Sequence, residues 1–385
     1  MDRRLFLNGA VVLAISSRLA PARAAADKIK IGALFALSGP SAFLGESQEK
    51  AFKMLVEEKN AQGGLAGRKV EYVIYDTEGN GTKAIQQLRR LVDSDRVDVV
   101  FGPNTSAEAL LVKPVAAELE TPVLSFSGAV EMAVPPNPWV FQAVPNNRVA
   151  VQHFLGFLMR KNYKKIAFIA STDSFGQGGA TLFKQLAPDY GLTIVTAEEF
   201  GLRDTDMTPQ ILKIKSLSPD AMVIWSINPG PSIILRNAKA IGFDKAIFNS
   251  NGVASPQFID QVGAAGEGTW LSAPRLLSPD SLSDSDPSKL VVTKLYRDYV
   301  AKWKKQPAAF AAIPQDALLV LEAALKRIKG DVTRKNLRDA IESVSGVVGA
   351  NGTYTFSSQN HMGLDDSSHP MVMMKIVGGK FVVEP

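Results

Sequence analysis

Lys28-Ile-Lys-Ile-Gly-Ala-Leu-Phe-Ala-Leu-Ser-Gly-Pro-Ser-Ala-Phe-Leu-Gly45 decides the fold. An apolar, β-branched run breaks at Ser38-Gly39-Pro40 and passes into an amphipathic helical pattern. That is a strand whose C-terminal end opens into a loop, where open α/β sheets bind ligands.

Working outward, strand-like runs alternate with helical patterns. The first series is Ile29–Phe35, a helix from Glu46, Val70–Tyr75, a helix from Thr82, Val97–Gly102, a helix from Ser106 and Pro122–Ser125. The second is Lys165–Ala170, a helix from Ser174, Thr193–Glu199, a helix from Thr208-Pro209, Ala221–Ser226, a helix from Pro231, Ala246–Asn249 and a helix from Ser255-Pro256. Repeated βαβ units predict parallel sheets covered by helices on both faces. Thr208-Pro209 and Ser255-Pro256 each set a hydroxyl at the N-cap and a proline at the first helical position. The stretch Val134-Pro-Pro-Asn-Pro-Trp139 cannot continue a helix or a central strand and reads as a connection near a domain boundary. Past Trp270 come three helical patterns, Ser288–Lys304, Pro314–Lys329 and Thr333–Ser343, then a hairpin of Met371–Val377 and Lys380–Val383 turning at Gly378-Gly379.

Ahead of this stands Asp2-Arg3-Arg4, an apolar stretch from Leu5 to Ile15, and Ala22-Arg23-Ala24, which reads as an export leader over residues 1–24 cleaved before Ala25 or Asp27. Arg3-Arg4 resembles a twin-arginine signal, and an ordinary Sec signal stands beside it as the alternative. The apolar stretch is shorter than the roughly 18 residues a membrane span needs. The expected location is the periplasm. The chain has no cysteine, which excludes disulfides, thiolate metal sites and a lipid-anchored cysteine. Removing a leader with four arginines and one aspartate lowers the formal net charge of +5 by 3, to +2, too weak and dispersed for nucleic acid or an anionic membrane. A mature chain of this length supports two cores, since single cores stop growing near about 250 to 300 residues.

Gly102-Pro-Asn-Thr-Ser106 ends a strand and opens a helix, so free backbone N–H groups and the Ser106 hydroxyl converge with the positive end of the helix dipole behind them. This is the pattern of a carboxylate site; the plainer reading makes Ser106 an N-cap. Catalytic constellations are missing. His153, His361 and His369 have no metal-ligand spacing, and Ser47-Gln-Glu-Lys50 matches S-x-x-K inside a helical pattern without its partner motifs. No enzyme, cofactor or metal is expected.

Ile31-Gly32 with Ser38-Gly39-Pro40, Asn60-Ala-Gln-Gly-Gly-Leu-Ala-Gly67, Tyr75-Asp76, Phe101-Gly102, Pro122-Val-Leu-Ser125 and Asp173-Ser-Phe-Gly176 follow one another in an order that resembles the leucine/isoleucine/valine-type solute-binding proteins of ABC transporters. The resemblance implies the α/β type I periplasmic binding protein fold: two Rossmann-like lobes with parallel sheets, joined by a three-strand hinge and closing on a ligand. Carried over, lobe 1 is 27–144 plus 275–352 and lobe 2 is 145–274 plus 353–385. It implies ABC permease subunits as partners, a small-molecule carboxylate as ligand, and a monomer. Ser106 and the backbone at Asn104 and Ser127 match positions that hold a ligand carboxylate. At Ala129 and Asn251, relatives usually carry a hydroxyl and an acidic residue for an ammonium group; here both are lacking, which disfavours an α-amino acid. Phe43 and Phe175 match cleft-lining positions, and Trp225 and Ile227, just past a strand, extend that wall or, for Trp225, belong to the core. The expected ligand is therefore an aromatic acid such as a benzoate, hydroxycinnamate or aryl 2-oxo acid. A branched-chain amino acid or an amide, a sensing subunit and an exported hydrolase are the alternatives.

Overall fold

The structure is a computed structural model describing residues 28–364 and 370–384. The leader and His369 lie outside the described residues.

The first sheet is wholly parallel. It holds β1 (Lys28–Phe35), β2 (Lys69–Asp76), β3 (Val99–Phe101), β4 (Val123–Ser125) and β5 (Val140–Gln142) in the order β2-β1-β3-β4-β5. Between these strands run α1 (Ala42–Ala61), α2 (Gly81–Asp93) and α3 (Ser106–Glu118). The alternation along β1 shows why helices cover both faces. Ile29, Ile31, Ala33 and Phe35 share a buried cluster with Phe52 and Leu55 of α1, whereas Leu34 joins Leu88, Leu91 and Val112 of α2 and α3. On that second face a Cβ at Gly32 would stand 2.8 Å from Leu91 Cδ1, so the close approach of α2 rests on this glycine.

The chain then builds a second sheet through α4 (Asn147–Arg160), β6 (Lys165–Ser171), α5 (Ser174–Leu186), β7 (Thr193–Phe200), α6 (Thr208–Ser216), β8 (Ala221–Trp225), α7 (Gly230–Ala240), β9 (Ala246–Asn249), α8 (Pro256–Val262) and β10 (Trp270–Pro274). It returns to the first unit with α9 (Lys289–Trp303), α10 (Ala312–Leu325), α11 (Arg334–Glu342) and a short ribbon, β11 (Val347–Val348) with β12 (Thr353–Tyr354). The hairpin β13 (Met371–Val377) and β14 (Lys380–Val383) completes the order β14-β13-β10-β9-β8-β6-β7; β13 and β14 are antiparallel and the other five strands parallel.

Several local expectations shift. α1 starts at Ala42, immediately after the Ser38-Gly39-Pro40 break, and not at Glu46. Ser255 caps α8 through Phe258 N, but Thr208 is already inside α6, whose N-cap is Met207 with no side-chain bond. Residues beyond 352 stay with the first unit further than the expected division allows. Tyr354 and Phe356 are buried in its core, His361 stacks on Phe141 at 4.2 Å, and Gln142 N donates to His361 O at 2.9 Å. The run through Phe356 and His361 therefore lies beside β5 and the chain leaving it toward the second unit, at residues 140–143.

One carboxylate fastens this region. Asp316 of α10 is fully buried and accepts from Ala350 N at 2.5 Å, Asn351 N at 2.9 Å, Asn351 Nδ2 at 2.8 Å and the Tyr354 hydroxyl at 2.9 Å. The same hydroxyl lies 3.1 Å from Ala143 O, just past β5 where the chain leaves for the second unit. Burial outweighs these four donors and pushes the Asp316 carboxyl up from 3.8 to about 6.

Candidate functional site

The parallel strands of both sheets aim their C-terminal ends at one cavity. Asn104, Thr105 and Ser106 follow β3, Phe126 and Gly128 follow β4, and Val144 and Pro145 follow β5. From the second unit come Asp173 and Phe175 after β6, Ile227 after β8 and Asn251 after β9. Leu44 and Gln48 of α1 and Phe310, just ahead of α10, complete its sides. The units touch directly across it, since Ala309 N donates to Ala254 O at 2.9 Å.

The loop after β3 shows how the sequence shapes the floor. Gly102 has φ +93°, and a Cβ there would sit 2.3 Å from Leu34 O, so glycine is required. Asn104 ties three elements together: Oδ1 accepts from Ala36 N at 3.1 Å and Nδ2 donates to Gln48 Oε1 at 2.9 Å. Thr105, not Ser106, is the N-cap of α3, its hydroxyl accepting from Glu108 N. Ser106 is thus released from capping. Ser127 Oγ accepts from Ala129 N at 3.1 Å and donates to Ser106 Oγ at 3.2 Å, which leaves the Ser106 proton free to point at the cavity. Glu108, two residues along, is buried, and burial pushes its carboxyl up from the usual value.

Of the residues singled out from sequence, Asn104, Ser106, Phe175, Ile227 and Asn251 line this cavity. The other four lie elsewhere. Ser127 is buried behind Ser106 and reaches the cavity only through it. Ala129 packs into the first unit's core with Leu34 and Val112, because the chain turns at Gly128 and presents that glycine instead. Trp225 is fully buried in the second core and stacks behind Phe175 at 6.2 Å, so it braces the wall without forming it. Phe43 points to a neighbouring cavity beside Lys50 and Trp303; its ring meets Phe310 edge-on at 5.8 Å, and Phe310 supplies the aromatic face expected of Phe43.

Sequence reasoning missed Gln48, Phe310 and Asn351 as lining residues, and saw Asp173 only as part of a motif. Asp173 caps α5 with Oδ1, bonded to Gly176 N and Ser171 Oγ. Phe310 carried one usable signal, a lone aromatic in the alanine-rich run Ala308–Ala312. Asn351 carried none, since only the fold brings it to the cavity.

Two α/β units with a cavity between their strand ends define a ligand-capturing receptor. A profile of the periplasmic binding proteins matches residues 28–380, and the chain belongs to that family, with its type I fold. It is 29% identical over 259 residues to the Leu/Ile/Val-binding protein homolog 7 of Brucella suis, a match spanning 64% of this chain and 64% of that relative. It is 25% identical over 312 residues, 78% of this chain and 83% of the relative, to the leucine-, isoleucine-, valine-, threonine-, and alanine-binding protein of Pseudomonas aeruginosa. Among solved structures, an extracellular ligand-binding receptor from Rhodopseudomonas palustris HaA2 superposes with a TM-score of 0.84 at 28% identity, covering 93% of this chain and 99% of that one. Among the described residues no helix is long and apolar enough to cross a membrane.

Proposed function

We propose that this chain is a periplasmic receptor that captures a small carboxylate with a flat apolar body, an aromatic acid such as 4-hydroxybenzoate or a hydroxycinnamate, by closure of the two units, and delivers it to an ABC importer. The observation carrying the proposal is the start of α3: with capping assigned to Thr105, the Ser106 hydroxyl and the helix N-terminus face a cavity that Phe175 and Phe310 wall from opposite units. A carboxylate suits the positive end of the helix, and two ring faces suit a planar body.

A second reading, an aliphatic α-amino acid, is favoured by the names of the relatives and by Asp173, a carboxylate at the cavity wall. Against it, Ala129 and Asn251 bring no charge to receive an ammonium group. Calorimetric titration of 4-hydroxybenzoate and p-coumarate beside leucine, valine and phenylalanine decides between them. Tighter binding of any amino acid than of both aromatic acids overturns the aromatic assignment.

Ser106→Ala tests the grip itself. It removes a charge-assisted hydrogen bond and leaves the Thr105 cap in place, so affinity should fall roughly tenfold or more with an unchanged melting midpoint. An unaltered Kd would mean that the carboxylate sits elsewhere.

A further inference from the structure

Two residues that line the cavity carry side-chain carbonyl oxygens that are buried and left unpaired by the protein. Asn351, 2% exposed, lines it, and its Nδ2 donates to Asp316 Oδ2 at 2.8 Å. A carboxylate oxygen wants the amide's N–H₂, so the Asn351 oxygen is turned away from Asp316. That Oδ1 is buried and has no hydrogen-bond partner among the described residues. Asn147 repeats the pattern: it is 2% exposed, its Nδ2 donates to Phe175 O at 3.3 Å, and its Oδ1 is likewise buried and unpaired. It lies 3.7 Å from where a Cβ on Gly128, a lining residue, would stand. Asn251, on the cavity wall from the second unit, supplies a third buried and unpaired Oδ1.

Buried carbonyls without donors are costly and uncommon, and two on residues lining one cavity, with a third just behind its lining residue Gly128, call for donors from the ligand. We propose that Asn351, oriented by Asp316, forms with Asn147 and Asn251 an acceptor subsite that selects carboxylates carrying an additional O–H or N–H group. The inference rests on the small-carboxylate reading above and narrows it: hydroxylated aromatic acids fit, whereas aryl 2-oxo acids bring an acceptor against acceptors. A site built to bond a ligand's O–H or N–H rejects the analogue that lacks it far more strongly than an apolar pocket rejects a change of shape.

The test is calorimetry on the full exported chain with matched pairs: 4-hydroxybenzoate against 4-fluorobenzoate, phenyllactate against phenylpyruvate, and leucine against 4-methyl-2-oxopentanoate. The donor-bearing member of any pair that binds should be tighter by roughly tenfold or more. Asn351→Ala should erase most of that difference and leave the donor-free member nearly unchanged. Equal affinities within every binding pair overturn the subsite and leave the carboxylate reading standing; no binding by any of the six acids overturns both. A variant that weakens both members alike removes Asn351 from the subsite. Should Asn351→Ala fail to fold, Asn147→Ala and the wild-type pairs decide, with the same outcomes.

Discussion

Replacing Asp316 by alanine should lower the unfolding free energy by about 3 to 5 kcal/mol, read as a drop in the urea midpoint at unchanged slope. The carboxylate is fully buried, and its loss strands two backbone N–H groups, the Asn351 amide and the Tyr354 hydroxyl. A loss below about 1 kcal/mol would mean that water replaces the carboxylate without difficulty. The same group sets a pH dependence. Its folded value, about 6, lies above the unfolded 3.8, so between these values the folded state binds the extra proton. Its contribution to stability is therefore complete below about pH 4 and declines as pH rises through 6, by about 3 kcal/mol in total. Asp316→Asn has no such titration. The stability of wild type relative to that variant should fall between pH 4 and 7, and a difference independent of pH would refute the assignment.

Gly128→Leu should abolish binding without unfolding the protein. A Cβ at Gly128 would meet Phe175 Cε2 at 3.6 Å and Asn147 Oδ1 at 3.7 Å, both ordinary contacts, and the backbone there is not left-handed. The remaining side-chain carbons have only the cavity to occupy. Overfilling by this amount costs about 1 to 3 kcal/mol, and with the ligand's own displacement added, affinity should fall by roughly a hundredfold or more. The measurement is titration with the tightest acid from the panel above, beside a thermal melt. Retained affinity would place the ligand away from the β4 loop, whereas a collapsed melting midpoint would show that the cavity wall cannot yield.

What was legible in the sequence follows from period and punctuation. The β1 alternation, the proline and hydroxyl signals and the Gly102 turn are local, and the strands and helices they mark stand within a few residues of expectation. Thr208 misled because Pro209 fits the second helical position as well as the first. At the site, residues on strand-end loops were readable because each announces itself beside a strand: Asn104, Ser106, Phe175, Ile227 and Asn251. Direction was harder. Ala129 and Gly128 are neighbours, and which of them faces the cavity depends on how the loop bends; Phe43 and Leu44 trade places by the same one-residue rotation of α1. Phe310 and Asn351 come from segments distant from the strand ends, and only tertiary packing delivers them.

The serine pair at the head of α3 has a polarity. The hydroxyl of Ser127 accepts a hydrogen bond from Ala129 N and donates one to Ser106 Oγ, so the Ser106 O–H is left to donate elsewhere. Backbone N–H groups at the helix start give as well. A carboxylate meets such a donor-rich spot with lone pairs alone, but a primary carboxamide held there in the same orientation turns its N–H₂ toward N–H groups. If the ligand's carboxylate sits here as proposed, its amide should bind more weakly, at a spot where the two differ hardly at all in size.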